Sequence, residues 1–244
     1  MNLRVFPQRT LFTIMAVLLL PALAAAQKSG YAWGDQPMSA NYTPSAQFSF
    51  NSSGGPININ KIGIGAYTVT FAGIGAGGGA AGGNVQVTAY GNGSETCKVV
   101  NWNSGGANFI LNVRCFAAGG APVDSRYTVR VVWDNVTYPK HGYAWADQPA
   151  TASYIPSAPF SFNSSGGAIG INRAGVGAYT VTFQGIGGNG NAGGNVLVTA
   201  YGNGSETCKV VNWNSAGASF IANVRCFTAG GAPVDTRYSI NVVW

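Results

Sequence analysis

The chain has 244 residues, of which only 8% are charged, and carries a formal net charge of +6 with a single histidine. Its basic residues are scattered singly, so no basic run tracks a nucleic-acid backbone, and nucleic acid is not an expected partner. One histidine and no G-x-S-x-G elbow leave no Ser-His-Asp constellation to argue from.

In chain order, the first feature is a basic start at Arg4 and Arg9, followed by an almost wholly apolar run from Leu11 to Leu20. Pro21 breaks the run, and Ala24-Ala25-Ala26 stands before Gln27 as a small-residue cleavage site. This is the layout of a secretory signal peptide over 1–26. The run is too short to span a bilayer, which takes roughly 20 residues. No later segment is long and apolar enough to do so. The expectation is a secreted, periplasmic or cell-surface protein with no membrane span once 1–26 is removed.

The remainder is one unit written twice. Tyr31-Ala32-Trp33 returns as Tyr143-Ala144-Trp145, and Phe48 to Gly55 returns as Phe160 to Gly167. The string VTAYGNGSETCKVVNWNS occupies Val87 to Ser104 and again Val198 to Ser215. The copies are offset by 112 residues early and 111 later, so one residue is lost in the Gly-rich loop. That period exceeds the roughly 20 to 50 residues of solenoid and propeller repeats, and each copy is large enough to hold a core of its own. Two tandem domains, 27–133 and 140–244, joined by a linker at 134–139, are the natural reading.

Within a copy the hydrophobic period is that of strands. Tyr67, Val69 and Phe71 alternate with Thr68 and Thr70, and Tyr127, Val129, Val131 and Trp133 alternate with Arg126, Thr128, Arg130 and Val132. No segment after the leader shows sustained helical spacing, and Gly, Asn, Ser and Pro clusters supply the turns. Seven or eight short strands per copy predict an all-β antiparallel sandwich or jelly roll. The glycine strings Gly73 to Gly78 and Gly185 to Gly190 satisfy G-x-G-x-x-G, but more glycine and then a strand follow, where a dinucleotide site needs a helix. They read as connections between strands.

Cys97 and Cys115 flank a turn-rich centre. Folding the chain about residue 106 sets 97 opposite 115, and Cys208 and Cys226 are related alike about residue 217. Opposed residues of an antiparallel ladder bring their Cβ atoms close, and export supplies the oxidising compartment, so Cys97–Cys115 and Cys208–Cys226 are predicted as cross-strand disulfides. Two cysteines with no histidine nearby make poor zinc ligands, and no D-x-D-x-D-G run is present, so neither a metal nor a cofactor is called for.

The same regular register sets Lys98 opposite Arg114, Val100 opposite Asn112 and Trp102 opposite Ile110, all on the face away from the disulfide. In the second copy it sets Lys209 opposite Arg225 and Trp213 opposite Ile221. A tryptophan beside two cations would receive a sugar or an anionic group. The bland alternative is Trp102 in the core with Lys98 and Arg114 in solvent. Of the carboxylates, Glu95 and Asp124, repeated as Glu206 and Asp235, are the candidate acids for a glycosidase-like pair. Against that, Asp124 and Asp235 each have an arginine two residues on, Arg126 and Arg237, for a local ion pair. His141, at the linker end, reads as a solvated residue.

The string GYAWADQP … GAYTVTFxGIG … GGNVxVTAYG … CKVVNW … NVRCF … GGAPVDxRYxxxVVW resembles a repeat of secreted bacterial proteins of uncharacterised function, over Gly30 to Trp133 and Gly142 to Trp244. Gly65-Ala66-Tyr67-Thr68-Val69-Thr70-Phe71 is also faintly similar to C1q-type jelly rolls, a likeness the C-terminal half of each copy departs from. Neither resemblance carries an activity. The expectation is a non-catalytic binding or surface module with two equivalent sites for a polysaccharide or other cell-surface polymer. The alternative is a secreted glycoside or ester hydrolase using the repeated carboxylates.

Overall fold

The computed structural model describes residues 28–133 and 140–244, together with Met1. The leader 2–26 and the linker 134–139 lie outside the described residues. The chain is all-β, in two similar halves. The first holds β1 (Lys28–Gly34), β2 (Asn41–Tyr42), β3 (Phe50–Asn51), β4 (Ile57–Gly63), β5 (Ala66–Phe71), β6 (Asn84–Tyr90), β7 (Thr96–Asn103), β8 (Phe109–Phe116) and β9 (Arg126–Trp133). The second holds β10 (His141–Ala146), β11 (Ser153–Tyr154), β12 (Ser161–Asn163), β13 (Ile169–Gly175), β14 (Ala178–Phe183), β15 (Asn195–Ala200), β16 (Thr207–Asn214), β17 (Phe220–Phe227) and β18 (Tyr238–Val243). The expected seven or eight strands per half become nine, because β2, β3 and their counterparts are too short to show a period in sequence. Among the described residues, no helix is long and apolar enough to cross a membrane.

All pairings of named strands are antiparallel. In the first half, one sheet runs β3-β1-β9-β6 and the other β2-β4-β5-β8-β7; the second half repeats this as β12-β10-β18-β15 and β11-β13-β14-β17-β16. Alternation drives the layering. Along β5 and β14 every second residue is buried, and Tyr67, Val69 and Phe71 turn inward to one cluster with Val85, Leu111, Val129 and Val131 from both sheets. A matching cluster in the second half gathers Tyr179, Val181, Phe183, Tyr238, Ile240 and Val242. Each fully buried side chain of this size contributes about 1.5–3 kcal/mol relative to exposure, so each half closes a core of its own.

The disulfides join directly paired residues of adjacent strands, Cys97 with Cys115 and Cys208 with Cys226, each within its own half. The strings Gly73 to Gly78 and Gly185 to Gly190 lie between strands, as expected. His141 is a correction. It is only 3% exposed, sits on β10, and stacks on Phe162 at 4.9 Å between ring centroids. The second half begins its first strand at this residue, so a position read as linker is a strand position under an aromatic ring.

Each disulfide closes a loop of 18 residues. Replacing Cys97 and Cys115 together by serine is expected to cost the first half about 3 kcal/mol of unfolding free energy, read from urea unfolding followed by circular dichroism.

Candidate functional site

The hairpin β7–β8 begins as predicted, with Cys97 opposite Cys115 and Lys98 opposite Arg114. It then departs. A bulge between Val99 and Asn101 pairs Asn101 with Asn112, Trp102 with Leu111 and Asn103 with Ile110. Val100 is therefore not opposite Asn112, and Trp102 is not opposite Ile110. The same shift in β16–β17 pairs Trp213 with Ala222 and not with Ile221. One extra residue on a strand moves every later side chain to the other face. Trp102 thus shares the face of the buried Leu111 and packs on the core cluster, away from the Lys98 and Arg114 side. A hydrogen-bonded relay holds the shifted register: Thr68 Oγ1 donates to Asn112 Oδ1 at 2.7 Å, and Asn112 Nδ2 donates to Asn101 Oδ1 at 2.7 Å. Thr180, Asn223 and Asn212 repeat it at 2.8 and 2.7 Å.

Asp124 and Asp235 do not pair with the arginines two residues on. Asp124 Oδ1 accepts from Gly65 N at 2.8 Å and from the Tyr67 hydroxyl at 3.2 Å, while Oδ2 accepts from Lys61 Nζ at 2.5 Å. Asp235 binds Gly177 N, the Tyr179 hydroxyl and the Arg173 guanidinium in the same way. The residue at the β4–β5 turn must be glycine: Gly65 has φ +60°, and a Cβ there would stand 2.5 Å from the Cys115 carbonyl. Each aspartate therefore clamps a turn and two strands to the segment before β9 or β18. Burial works against ionisation of Asp124, but Lys61, the Gly65 N–H and Tyr67 outweigh it and hold the carboxyl below the ordinary range; for Asp235 the Arg173 guanidinium is the main cause of the same depression. These two candidates stand in structural networks, separate from the groove that holds the other two.

Glu95 and Glu206 line one groove, where the two halves meet. Lys98 crosses it, donating to Glu206 Oε2 at 3.0 Å, and is itself only 3% exposed. Burial pushes the Lys98 ammonium down, with Glu206 opposing. Glu206 is also partly buried, yet its own backbone N–H and Lys98 bring its carboxyl below the ordinary range. Its counterpart Glu95 has no such partner across the groove; Lys209 is exposed, lies over the Phe227 ring, and lines a neighbouring pocket with Thr96 and Ala117 of the first half. Among the described residues, no group of three or more histidine, cysteine, aspartate or glutamate side chains is placed to hold a metal ion.

The meeting of the halves continues from this ion pair. Val99 of β7 bridges Tyr201 in parallel, and its carbonyl accepts from Gly202 N at 3.0 Å. Gly83 N donates to the Pro159 carbonyl at 3.2 Å, Asn84 Nδ2 to Ser239 Oγ at 2.6 Å, and Arg114 to the Asn203 carbonyl at 3.4 Å. At the centre lies Trp102. Its indole meets Trp145, Phe160 and Tyr201 edge-on, with centroid distances of 6.2, 5.7 and 5.5 Å, and its Nε1 donates to the Gly82 carbonyl.

The receiving cluster has a twin in the first half that no tryptophan among the described residues fills. Trp33, Phe48 and Tyr90 are the counterparts of Trp145, Phe160 and Tyr201. Trp33 stands 5.4 Å from Phe48 and 5.1 Å from Tyr90, against 5.4 and 5.1 Å in the filled cluster. Arg126 lies over Tyr90 as Arg237 lies over Tyr201. The open pocket encloses about 430 Å³ and is walled by Tyr31, Trp33, Phe48, Tyr90 and Thr128. No family model, curated protein or solved structure matches this chain. The pocket thus rests on its own geometry. Sequence reasoning passed over its residues, although the repetition of Tyr-Ala-Trp, Phe-Ser-Phe and Ala-Tyr-Gly in both copies was the available signal. Trp213, the counterpart of Trp102, keeps its hydrogen bond to the Gly193 carbonyl but is 45% exposed.

The aspartate clamps generate a pH prediction. Their folded pKa values lie below the unfolded value of about 3.9, so their contribution is complete well above that pH and is lost as pH falls through the folded values. The unfolding midpoint is expected to drop steeply below about pH 4. A chain with Asp124→Asn and Asp235→Asn is expected to be less stable at pH 7 and to show a flatter acid dependence in thermal melts across that range.

Proposed function

We propose that this protein is an exported, non-catalytic binding module whose receiving surface is the aromatic pocket of Trp33, Phe48 and Tyr90 in the first half. The observation that carries this reading is the filled twin. In the second half the same three rings take up an indole, and their mutual spacing is the same whether the pocket is filled or open. A pocket already in its receiving arrangement does not have to reorder its own rings on binding. Aromatic rings meeting edge to face contribute about 0.5–1.5 kcal/mol beyond the area they bury. The ligand chemistry that best fits is therefore a flat aromatic group on a protein surface. The exposure of Tyr90 and Phe48, near one half each, gives such a group access. Export rests on the leader sequence and accords with paired cysteines on adjacent strands.

A second reading draws on the groove between the halves. Glu95 and Glu206 line it together, and a glycosidase needs two carboxyl groups bordering one site. The Glu206 backbone N–H and Lys98 favour the ionised form of Glu206, which suits it to act as a base or nucleophile in this reading.

Saturation-transfer NMR with N-acetyltryptophanamide, beside a panel of soluble oligosaccharides, tests the first reading. The indole probe is expected to take up magnetisation from the pocket rings and to lose it in Tyr90→Ala. Reducing ends released from any oligosaccharide in the same tubes, and abolished by Glu95→Gln with Glu206→Gln, would put the second reading in its place. No transfer to any probe would remove the pocket from consideration.

A further inference from the structure

The junction between the halves has two sides, and each half carries both. One side is the edge strand with its tryptophan and lysine; the other is the aromatic pocket with its glutamate. In the chain, the first half presents its edge to the second half's pocket. Among the described residues, that leaves uncovered the Trp213 end of the second half's edge and the first half's pocket. We propose that these two surfaces bind one another between copies of the chain, so that the protein assembles head to tail, with Trp213 of one copy seated among Trp33, Phe48 and Tyr90 of the next. This rests on the reading of the pocket given above and names its partner.

The match extends well beyond the indole. The strands β7 and β16 are the same eight residues, TCKVVNWN, and both carry the bulge that turns the tryptophan. In β7, where the neighbour is present, Cys97, Lys98 and Val99 are buried; in β16 no residue is, and Lys209, Val211 and Trp213 are exposed. Seating β16 as β7 is seated carries Lys209 toward Glu95, the counterpart of Glu206, and both residues also border the junction within the chain. It gives the Val210 carbonyl the Gly91 N–H, as Val99 has Gly202. Gly91 has φ +143° and Gly202 φ +116°, both conformations that favour glycine, so the backbone donor is already set in the uncovered half. Gly194 N and Asn195 then meet the Gln47 carbonyl and Thr128, in the places of Pro159 and Ser239.

Gln47 takes the place of Pro159 and Thr128 that of Ser239, and one pair differs on both sides. In the chain, Gln86 Nε2 donates to Ser239 Oγ at 3.3 Å. The uncovered surfaces hold Leu197 and Thr128 instead, an apolar side chain against a residue that offers a methyl group. Leu197 is 40% exposed as it stands. The polar contact is thus exchanged for an apolar one, and Asn195 Oδ1 lacks the donor that Gln86 Nε2 supplies to Asn84 Oδ1 at 3.0 Å.

The contact is heterologous: the surface offered is not the surface received. Such contacts close into a ring if the rotation between copies permits and otherwise extend as a filament. An exposed sheet edge is a template for pairing with another chain, and β16 holds no proline, while its Lys209 and its bulge restrict which partner can pair with it.

Light scattering coupled to size exclusion, on the oxidised chain from residue 27 onward, tests this over a concentration series. The unmodified chain is expected to grow in mass with concentration, beyond two chains. Trp213→Ala and Tyr90→Ala are each expected to stay at the mass of one chain, with circular dichroism unchanged and melting only slightly lowered, because both side chains are about half exposed. An equimolar mixture of the two variants has one working edge and one working pocket, so its mass is expected to double and stop there. A single-chain mass for the unmodified protein at every concentration overturns the proposal. So does growth that survives Trp213→Ala. The indole probe separates the two ideas: binding of the probe by a chain that never associates leaves the pocket standing and removes self-assembly, while failure of both removes both.

Discussion

A sheet edge has to be covered or left open, and the packing of this molecule turns on that constraint. Each five-stranded sheet ends on an edge strand, β7 or β16, with an unpaired row of backbone groups. The second half covers β7. Its Gly202 N–H satisfies the Val99 carbonyl, its Glu206 neutralises a lysine that has been drawn out of water, and its three aromatic rings enclose Trp102. Removing a lysine from solvent is costly unless a counter-ion is fixed in place, so this ion pair allows one seating of the halves and penalises its neighbours. The backbone bridge, the ion pair and the indole agree on that seating.

The carboxylates divide by the same logic into those that serve a half and those that serve the junction. Asp124 and Asp235 have equivalent partners, because the turn, the tyrosine and the cation they bind are all within one half. They recur because each half must solve the same turn. Glu95 and Glu206 stand at corresponding positions in identical surroundings of sequence, yet only Glu206 receives a lysine. That difference comes from the order of the halves along the chain and not from the residues themselves.

Much of the fold was legible beforehand, because its signals are local. Alternation along Ala66–Phe71 and Arg126–Trp133 marks strands with one buried face, and two cysteines straddling a turn place a bridge across a hairpin. The candidate site was legible only in part. Lys98, Trp102 and Arg114 were singled out, but a regular ladder was assumed through Val100, and the bulge there reverses the face on which Trp102 stands. Nothing in the string VVNW announces a bulge; it becomes visible only with Asn112 and Thr68, which arrive from neighbouring strands. The partners of Asp124 are Lys61, Gly65 and Tyr67, some sixty residues away, whereas the reading from sequence looked two residues on. His141 was misplaced for the same reason, since the ring that covers it is on β12.

The sequence by itself determined the all-β class, the doubling of the unit and the pairing of the cysteines, because alternation, repetition and turn symmetry are written in neighbouring residues. Only the tertiary structure decided what each repeated residue does. Thr96–Asn103 and Thr207–Asn214 are the same eight residues, but one strand is buried beneath a neighbour and the other faces solvent. Burial, ion pairing and desolvation depend on what stands across a gap, and two identical strings at different places in a chain do not face the same thing.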